Sequence, residues 1–380
     1  MMLKFLFDAD LQDFHLVKEV GMVPYYMHKE FGHDCEIIST RKKDEQFSNT
    51  KYVKGLKIKI INRPRFLIFL DYILKNSGKI DILMQIHTNP MQILLAFVYK
   101  GLNKNGISYV KGDIDEKILT INKIGIANLI RKFKTYLALS VSDILSVEKM
   151  DVFNFLCRQF PKFREKIIYY PSGFDSSGLE GKSFSFDSKA NQIITVGRLG
   201  TKQKATETFL SALEMIKKEL KGWKILLIGS IEPGFSKKIE EFYKKNPDLK
   251  ETVLFTGEIK DRYKLYEAYK KSKIFCLTSR FESFALVLTE AAFFGNAIVS
   301  TKVGCAPEIT DNGKYGKLCS IDNIKEIAEG LRYFINNRQK LKNCCDNIQK
   351  YCKENFTWRK TTIALEKKIK QEMIKRKKLK

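Results

Sequence analysis

The 380-residue sequence contains no apolar run that approaches the ~18 residues a membrane-spanning helix needs. No signal peptide precedes the first predicted strand, so the sequence predicts a soluble or peripheral cytoplasmic protein. There are four histidines, and the eight cysteines form no C-x-x-C pair, which argues against a zinc site. Several cysteines lie inside predicted strands or helices, as expected of reduced thiols that serve packing.

Acidic residues are also scarce: 43 Asp and Glu face 68 Lys and Arg, a net charge of +25. Residues 1–175 hold 27 basic and 19 acidic groups, so most of the excess lies in the second half and its tail. No groove-reading module accompanies the charge, so we expect no nucleic-acid partner. An anionic membrane surface is possible, because each nearby Lys or Arg contributes about 1 kcal/mol of attraction.

Two segments could serve such a surface. The last fifteen residues carry eight basic and two acidic groups. The segment 123–139 places Ile126, Ile130, Phe133 and Leu137 on one helical face among basic residues. The alternative for this segment is a helix with its apolar face on the core and a solvated basic back.

Strand-like and helix-like segments alternate through both halves of the chain. This pattern is typical of parallel sheets covered by helices, so the sequence predicts an α/β protein with two sheets in tandem. The predicted strands are residues 3–7, 56–61, 81–86, 107–111 and 143–147 in the first half, and 192–196, 223–229, 253–257, 273–278 and 297–301 in the second.

Residues 273–301, KIFCLTSRFESFALVLTEAAFFGNAIVST, read as strand, helix and strand. The predicted helix from Ser283 to Phe294 carries one charge, Glu290, and Glu282 stands at its mouth. With 100° and 1.5 Å per residue, the two carboxylates lie about 80° apart around the axis and about 12 Å along it. They bracket a ligand-sized space. The alternative is an ordinary helix-start acid together with a buried ion pair.

The stretch SRFESFALVLTEAAFFGNAIVSTKVGCAPEITDNGKYG resembles the E-x7-E signature of the retaining nucleotide-sugar glycosyltransferases of family 4. The resemblance implies the GT-B fold, with two Rossmann-like parallel-sheet domains facing across a cleft. It implies that Glu282, with the backbone N–H groups of Ser283, Phe284 and Ala285, contacts the donor sugar and phosphates. It also implies that Glu290 accepts hydrogen bonds from the ribose hydroxyls, which suits a carboxylate with two acceptor oxygens.

The segment QIITVGRLGTKQKATETFLSAL resembles the donor-phosphate segment of the same family. The resemblance assigns Arg198 and Lys204 to the diphosphate, where fixed cations stabilise the charge that grows on the leaving group. Two D-x-D strings, at residues 8–10 and 113–115, could hold a divalent metal in the other large glycosyltransferase fold. Because side-chain cations already oppose the diphosphate, we expect no catalytic metal, and no cofactor besides a UDP- or GDP-sugar donor.

The first half resembles the family less closely. Gly21, near the start of the first predicted helix, is a candidate donor or acceptor contact, with simple turn chemistry as the alternative. His87 is a candidate for the acceptor side, with a structural role as the alternative. Relatives often have a histidine after the fourth strand of this half, and here Asp113 or Lys111 stands in that region.

The resemblance implies a domain at residues 1–175, a linker at 176–190, a donor domain at 191–355, and a crossover helix with a basic tail at 356–380. The implied activity is transfer of a sugar from a nucleotide-diphosphate sugar to a hydroxyl of a growing, lipid-linked glycan of a surface polysaccharide. The alternatives are a related phosphorylase or epimerase, and a catalytically silent protein that binds membrane or nucleic acid.

Overall fold

A computed structural model describes residues 1–40, 46–61, 65–112, 114, 118, 125–179 and 181–378. The chain forms two compact units. Unit 1 comprises Met1–Asp175 and Trp358–Lys380, and unit 2 comprises Ser176–Thr357. Unit 1 is therefore built from two separate stretches of the sequence.

Unit 1 is a parallel sheet with the strand order β3-β2-β1-β4-β5-β6-β7. Every residue of its central strands Ile82–Ile86 and Ile107–Gly112 is buried, as expected for strands covered on both faces. Leu3 of β1, for example, pairs with Cys35 of β2 on one side and Ile82 of β4 on the other. The strands are β1 Met2–Asp10, β2 Asp34–Thr40, β3 Lys57–Ile60, β4 Ile82–Ile86, β5 Ile107–Gly112, β6 Ile144–Val147 and β7 Ile167–Tyr169.

Helices connect the strands of unit 1, and the last helix of the chain returns to it. They are α1 Glu19–Phe31, α2 Arg65–Asn76, α3 Pro90–Leu102, α4 Ile126–Val141, α5 Met150–Gln159 and α13 Trp358–Lys378. Trp358, Leu365 and Ile369 of α13 lie in the hydrophobic core of unit 1. The buried carboxylate of Glu366 meets the His33 ring at 2.8 Å.

Unit 2 is a second parallel sheet, with the order β10-β9-β8-β11-β12-β13. Its strands are β8 Gln192–Val196, β9 Lys224–Ile228, β10 Val253–Gly257, β11 Ile274–Leu277, β12 Ala297–Thr301 and β13 Gly316–Cys319. Its helices are α6 Thr206–Met215, α7 Ser236–Lys245, α8 Arg262–Lys271, α9 Leu286–Phe293, α10 Ala306–Ile309, α11 Ile324–Ile335 and α12 Arg338–Asn355.

The predicted α/β class with two parallel sheets is confirmed, and every strand predicted from the sequence is present. Three strands were missed: β2, β7 and β13. β2 begins with Asp34 and contains Glu36, so its apolar run is short, and the other two strands have three and four residues. That the two units face each other across a cleft stays a prediction.

The basic tail is held more closely than the sequence suggested. Lys375 Nζ lies 2.9 Å from Glu165, and Arg376 NH2 lies 2.6 Å from Asp143, both on unit 1. These two cations are engaged in intramolecular ion pairs, so the run from residue 375 onward is not a wholly free basic tail. None of the described helices combines the length and the apolar character needed to cross a membrane.

The eight cysteines are free thiols, and all except Cys157 are buried. Burial raises the pKa of Cys35 to about 12 and that of Cys276 well above its ordinary value. These thiols are therefore protonated and behave as small apolar side chains, as their positions within strands and helices suggested.

Candidate active site

The predicted donor residues of unit 2 gather at the carboxyl ends of β8 and β11. These strands are neighbours in the sheet, but the chain leaves β8 towards β9 and leaves β11 towards β12, in opposite directions. Such a reversal opens a crevice at the carboxyl edge of a parallel sheet, where ligands of α/β proteins bind. The β8 loop carries Arg198 and Lys204, and the β11 loop carries Glu282.

Lys204 and Glu282 form a direct ion pair, with Nζ 2.6 Å from Oε1. The lysine side chain is 16% exposed and the carboxylate 8%. Ser279 Oγ donates to the same carboxylate oxygen at 2.6 Å, and Gln203 Nε2 donates to the other at 3.4 Å. The structure therefore brings together the residue predicted to grip the diphosphate and the residue predicted to contact the sugar.

Arg198 joins this network through Gln203, whose Oε1 accepts a hydrogen bond from Arg198 NH2 at 3.2 Å. Arg198 is exposed, so its guanidinium borders solvent at the edge of the site. Gly197, next to it, has φ +156°, and a Cβ there would lie 3.0 Å from Cε of Lys204. The glycine thus makes room for the lysine side chain to reach Glu282.

Arg280 connects the β11 loop to the β8 loop through hydrogen bonds. It was not identified from the sequence. Its Nε donates to both carboxylate oxygens of Asp322 at 2.9 Å, and its NH2 donates to Glu207 at 2.9 Å. The hydrogen bond to Asp322 raises the pKa of Arg280 above its ordinary value. Its NH1 also donates to the backbone carbonyl of Lys202 at 2.7 Å. No local pattern marks this arginine, because all three partners come from other parts of unit 2.

Glu290 lies on α9, where its Oε2 accepts a hydrogen bond from the hydroxyl of Tyr269 at 2.9 Å. Burial, reinforced by the negative charge of Glu290, raises the pKa of Tyr269 well above its ordinary value. The phenol therefore stays protonated and orients the carboxylate. Tyr269 is the second site residue that the sequence did not reveal.

The helix predicted from Ser283 begins three residues later, at Leu286. Ala285 adopts the left-handed conformation with φ 73°, which interrupts a helix of L-residues. Ser283, Phe284 and Ala285 consequently form a loop leading into α9. The Phe284 carbonyl accepts a hydrogen bond from Cys305 N at 2.7 Å, which fixes the loop. The prediction of about 80° and about 12 Å between the two carboxylates assumed one continuous helix, and that assumption is wrong because Glu282 lies outside α9.

In unit 1 the candidates lie around the corresponding reversal, between β1 and β4. Gly21 is buried in the first turn of α1, where a Cβ would lie 2.1 Å from the carbonyl oxygen of Leu16. Close packing thus accounts for this glycine, and its contact with a ligand stays a prediction. His87 follows β4 with φ 68°, and its backbone N–H donates to the Lys111 carbonyl at 3.0 Å. Asp113 lies outside the described residues.

Lys111 is buried in an ionic cluster. Its Nζ lies 2.5 Å from Glu148 Oε1, which also accepts from Ser172 Oγ at 2.6 Å. Burial alone would lower the pKa of Lys111, but the carboxylates of Glu148 and Glu19 outweigh it and raise this pKa. Burial and then the charge of Glu148 raise the pKa of Glu19. The charge of Lys111 is therefore balanced by carboxylates within unit 1.

Of the four aspartates in the two D-x-D strings, the structure describes the side chain of Asp10. Asp10 Oδ1 accepts a hydrogen bond from Thr40 at 2.7 Å, while the Asp8 side chain and residues 113 and 115 are outside the described part. Among the described residues, no three His, Cys, Asp or Glu side chains are grouped so as to hold a metal ion. Metal independence stays a prediction.

Comparison with known proteins bears on these residues. The family "Glycosyl transferases group 1" matches residues 179–351. A probable sucrose-phosphate synthase of Thermosipho melanesiensis is 29% identical over 209 residues, 52% of this chain and 46% of the relative. An α-1,4-N-acetyl-D-galactosaminyltransferase of Campylobacter jejuni, named for a PP-undecaprenol-linked acceptor, is 28% identical over 197 residues, half of each chain. The match thus spans about half the length of these relatives.

The similarity in fold to solved structures extends over more of the chain than the sequence similarity does. The crystal structure of Anabaena HepE in complex with UDP superimposes with a TM-score of 0.71, covering 98% of this chain and 100% of HepE at 14% identity. Such an identity supports the fold alone. Residues 179–351 therefore match the model of the group 1 glycosyltransferase family, and the chain has the GT-B fold.

Proposed function

We propose that this protein is a retaining, metal-independent glycosyltransferase that moves a sugar from a nucleotide-diphosphate sugar to a hydroxyl of a growing, lipid-linked glycan. The observation that carries the proposal is the Lys204–Glu282 pair, which lies at the strand reversal of unit 2 with Arg198 beside it. A cation and an oriented carboxylate at that edge suit a ligand that has both a diphosphate and a sugar.

In this proposal the diphosphate takes the charge of Lys204 and Arg198, and the ribose hydroxyls donate to Glu290. The Tyr269 hydroxyl donates to Oε2 of Glu290 and so helps to orient this carboxylate. The loop 283–285 leads to the first turn of α9, whose N–H groups form a positive end suited to phosphate oxygens. UDP in HepE, a protein of the same fold, supports a uridine nucleotide as the first donor to test.

Retention of configuration is proposed without a protein nucleophile. Glu282 is held by Lys204, Ser279 and Gln203, which reduces the freedom of its carboxylate to attack the anomeric carbon. The bond from that carbon to the phosphate oxygen breaks, and the acceptor oxygen bonds on the same face. The acceptor proton passes to the departing diphosphate, whose growing charge Lys204 and Arg198 stabilise.

The lipid-linked acceptor is supported by the name of the Campylobacter relative, which gives a PP-undecaprenol-linked acceptor. A place at the inner membrane face, in surface polysaccharide synthesis, is part of the same proposal. Acceptor contacts by Gly21 and His87 belong to the same proposal. His87 follows a strand at the reversal of unit 1, where a ligand of that unit would bind.

The test is release of nucleoside diphosphate from a panel of UDP- and GDP-sugars, with and without EDTA. We expect release from one donor, unchanged by EDTA, and a raised KM for the nucleotide donor in Glu290→Ala, with a smaller rise in Tyr269→Phe. Tyr263→Phe, at an exposed tyrosine on the same helix as Tyr269, is the matched control. Loss of activity on chelation with recovery on adding Mn²⁺ would contradict the metal-free mechanism, and no release from any donor would favour a silent binder.

A further inference from the structure

The outward face of α4 is apolar. Five apolar or aromatic side chains on it, here called the α4 stripe, are exposed: Ile126 79%, Leu129 68%, Ile130 53%, Phe133 60% and Tyr136 44%. A surface helix of a globular protein normally turns its apolar side chains to the core. The α4 stripe does the reverse, so the core-facing alternative for this segment is wrong.

The buried contacts of α4 are made by its other face. At 100° per residue the α4 stripe covers about 120° of the helix surface, and Thr135, Ala138 and Leu139 lie opposite it. These three residues are buried, and Ala138 and Leu139 belong to a core cluster of unit 1. Packing within unit 1 therefore explains the inner face of α4 and leaves the α4 stripe for another contact.

Positive charge borders the α4 stripe on both sides. Lys132 and Lys134 lie about 100° on either side of its centre, and Ile126–Val141 contains no Asp or Glu. Lysine stems at such positions can lie along an apolar surface while their ammonium groups reach polar headgroups. An apolar face with cations along its margins is the arrangement of helices that lie in the membrane interface.

The neighbouring helix extends the apolar surface of unit 1. α3 packs against α4, and its Leu94 and Phe97 are 44% and 64% exposed. Single exposed apolar residues are ordinary, whereas several on adjoining helices mark a surface that meets another apolar phase or a partner.

We propose that the α4 stripe docks unit 1 onto a bilayer surface rich in anionic lipid, with α4 lying in the interface plane. This deepens the proposed function and rests on it for its purpose, because a lipid-linked acceptor is presented at such a surface. The lysines beside the α4 stripe favour a membrane over a second copy of the chain as its binding partner. A self-complementary contact would bring Lys132 and Lys134 of both copies together, whereas anionic headgroups neutralise them.

The test is sedimentation of the full chain with phosphatidylcholine vesicles, with and without phosphatidylglycerol. We expect binding that requires the anionic lipid, falls with salt, and weakens about ten-fold or more in Ile130→Ser/Phe133→Ser, since these variants remove apolar area that enters the interface. Lys132→Gln/Lys134→Gln should weaken binding and its salt dependence. The matched controls, Met215→Ser and Lys237→Gln/Lys244→Gln, change exposed residues of unit 2 and should bind as the unchanged chain does.

A spectroscopic measurement checks insertion directly. The two native tryptophans, Trp223 and Trp358, are buried, so Phe133→Trp introduces an exposed reporter. Its emission should shift to the blue with anionic vesicles and stay unchanged with pure phosphatidylcholine.

Equal vesicle binding by the chain and its Ile130→Ser/Phe133→Ser variant would overturn the proposal. So would concentration-dependent dimers that the same variant abolishes, because the face would then bind a second copy. Nucleoside diphosphate release on a water-soluble acceptor separates the two proposals. Vesicle binding that depends on the α4 stripe without any sugar transfer would refute the enzyme assignment alone, and transfer without such binding would refute the docking surface alone.

Discussion

At the scale of single residues, Lys204 and Glu282 neutralise each other in a direct ion pair. In the proposed donor site, a diphosphate would therefore compete with a carboxylate 2.6 Å from the ammonium group, or share it. Sharing is feasible because Glu282 keeps the Ser279 hydroxyl and the Gln203 amide as further donors. The pair thus holds the lysine in position at low cost in side-chain entropy when the donor binds.

Lys204→Ala should lower kcat about 10²–10³-fold, because the charge of the leaving diphosphate loses a fixed cation. Glu282→Gln should cost less alone, and the double variant should cost less than the two single losses multiplied, because both residues act in one network. Steady-state kinetics of the four proteins checks this. Lys202→Ala, at an exposed lysine two positions earlier, is the control. Fully multiplicative losses would contradict the coupling.

The candidate residues visible in the sequence are those marked by local spacing, whereas Arg280 and Tyr269 are tied to the site by tertiary contacts. The spacing of Glu282 and Glu290, and the position of Lys204 after a strand, are visible in one stretch of chain. Arg280 and Tyr269 were missed because their roles depend on Asp322 and Glu290, which lie 42 and 21 positions away. Neither residue type is unusual in a chain with 68 basic residues and 16 tyrosines.

At the scale of elements, the start of α9 depends on a close backbone contact that no propensity reveals. Gly304 has φ +55°, and a Cβ there would lie 2.5 Å from the Phe284 carbonyl oxygen. The β12–α10 segment can therefore approach the loop before α9 only with glycine at this position. The apolar composition of residues 284–293 predicted the helix correctly, but its first turn was placed three residues early.

Gly304→Ala should therefore displace the 283–285 loop as well as strain its own backbone. Gly222→Ala is the matched control, since Gly222 also has positive φ, +80°, but has open space where its Cβ would be. Both variants should lose about 1–2 kcal/mol of stability from the left-handed conformation, and Gly304→Ala more. Only Gly304→Ala should also raise the KM for the donor. Urea unfolding and kinetics measure the two effects, and equal behaviour of the variants would refute the role of the close contact.

The end of α8 is held by a buried lysine from the segment before β8. Lys189 Nζ donates to the carbonyls of Lys270 at 3.0 Å and Ser272 at 2.9 Å, where a helix leaves unpaired acceptors. Burial lowers the pKa of Lys189 from 10.5 to about 8. Between those pH values the unfolded chain binds more protons at this position than the folded one.

The contribution of Lys189 to stability should consequently rise as the pH increases from about 8 to about 10.5, by about 3 kcal/mol at most. The difference in free energy of unfolding between the native chain and Lys189→Met, measured at several pH values, isolates this change. Lys273→Met provides a comparison at a lysine that burial perturbs less. A difference that stays constant with pH would show that Lys189 keeps its ordinary pKa.

At the scale of the whole molecule, the alternation of strands and helices predicted the two sheets. The assignment of the last helix, α13, to unit 1 depends instead on long-range packing. α13 is separated by the whole of unit 2 from the rest of unit 1, and its composition is strongly basic. The position of α13 is set by burial of Trp358, which is 1% exposed, and of Leu365 and Ile369. All three pack in the hydrophobic core to which α1 also contributes. Its cations then pair with Glu165 and Asp143, which reduces the part of the tail available to a membrane.

Removal of residues 358–380 should therefore destabilise unit 1, which lies at the other end of the sequence, and spare unit 2. Trp358→Ala alone should cost about 3–5 kcal/mol, the usual loss for a buried tryptophan, whereas Ile363→Ala, at a half-exposed position of the same helix, should cost little. Limited proteolysis should cut the truncated chain within residues 1–175 first, while the fluorescence of Trp223, buried in unit 2, keeps its folded emission. First cleavage within unit 2, or a Trp358→Ala variant as stable as Ile363→Ala, would show that unit 1 folds without the returning helix. The measured order of cleavage would then decide whether the N-terminal 175 residues can be studied alone.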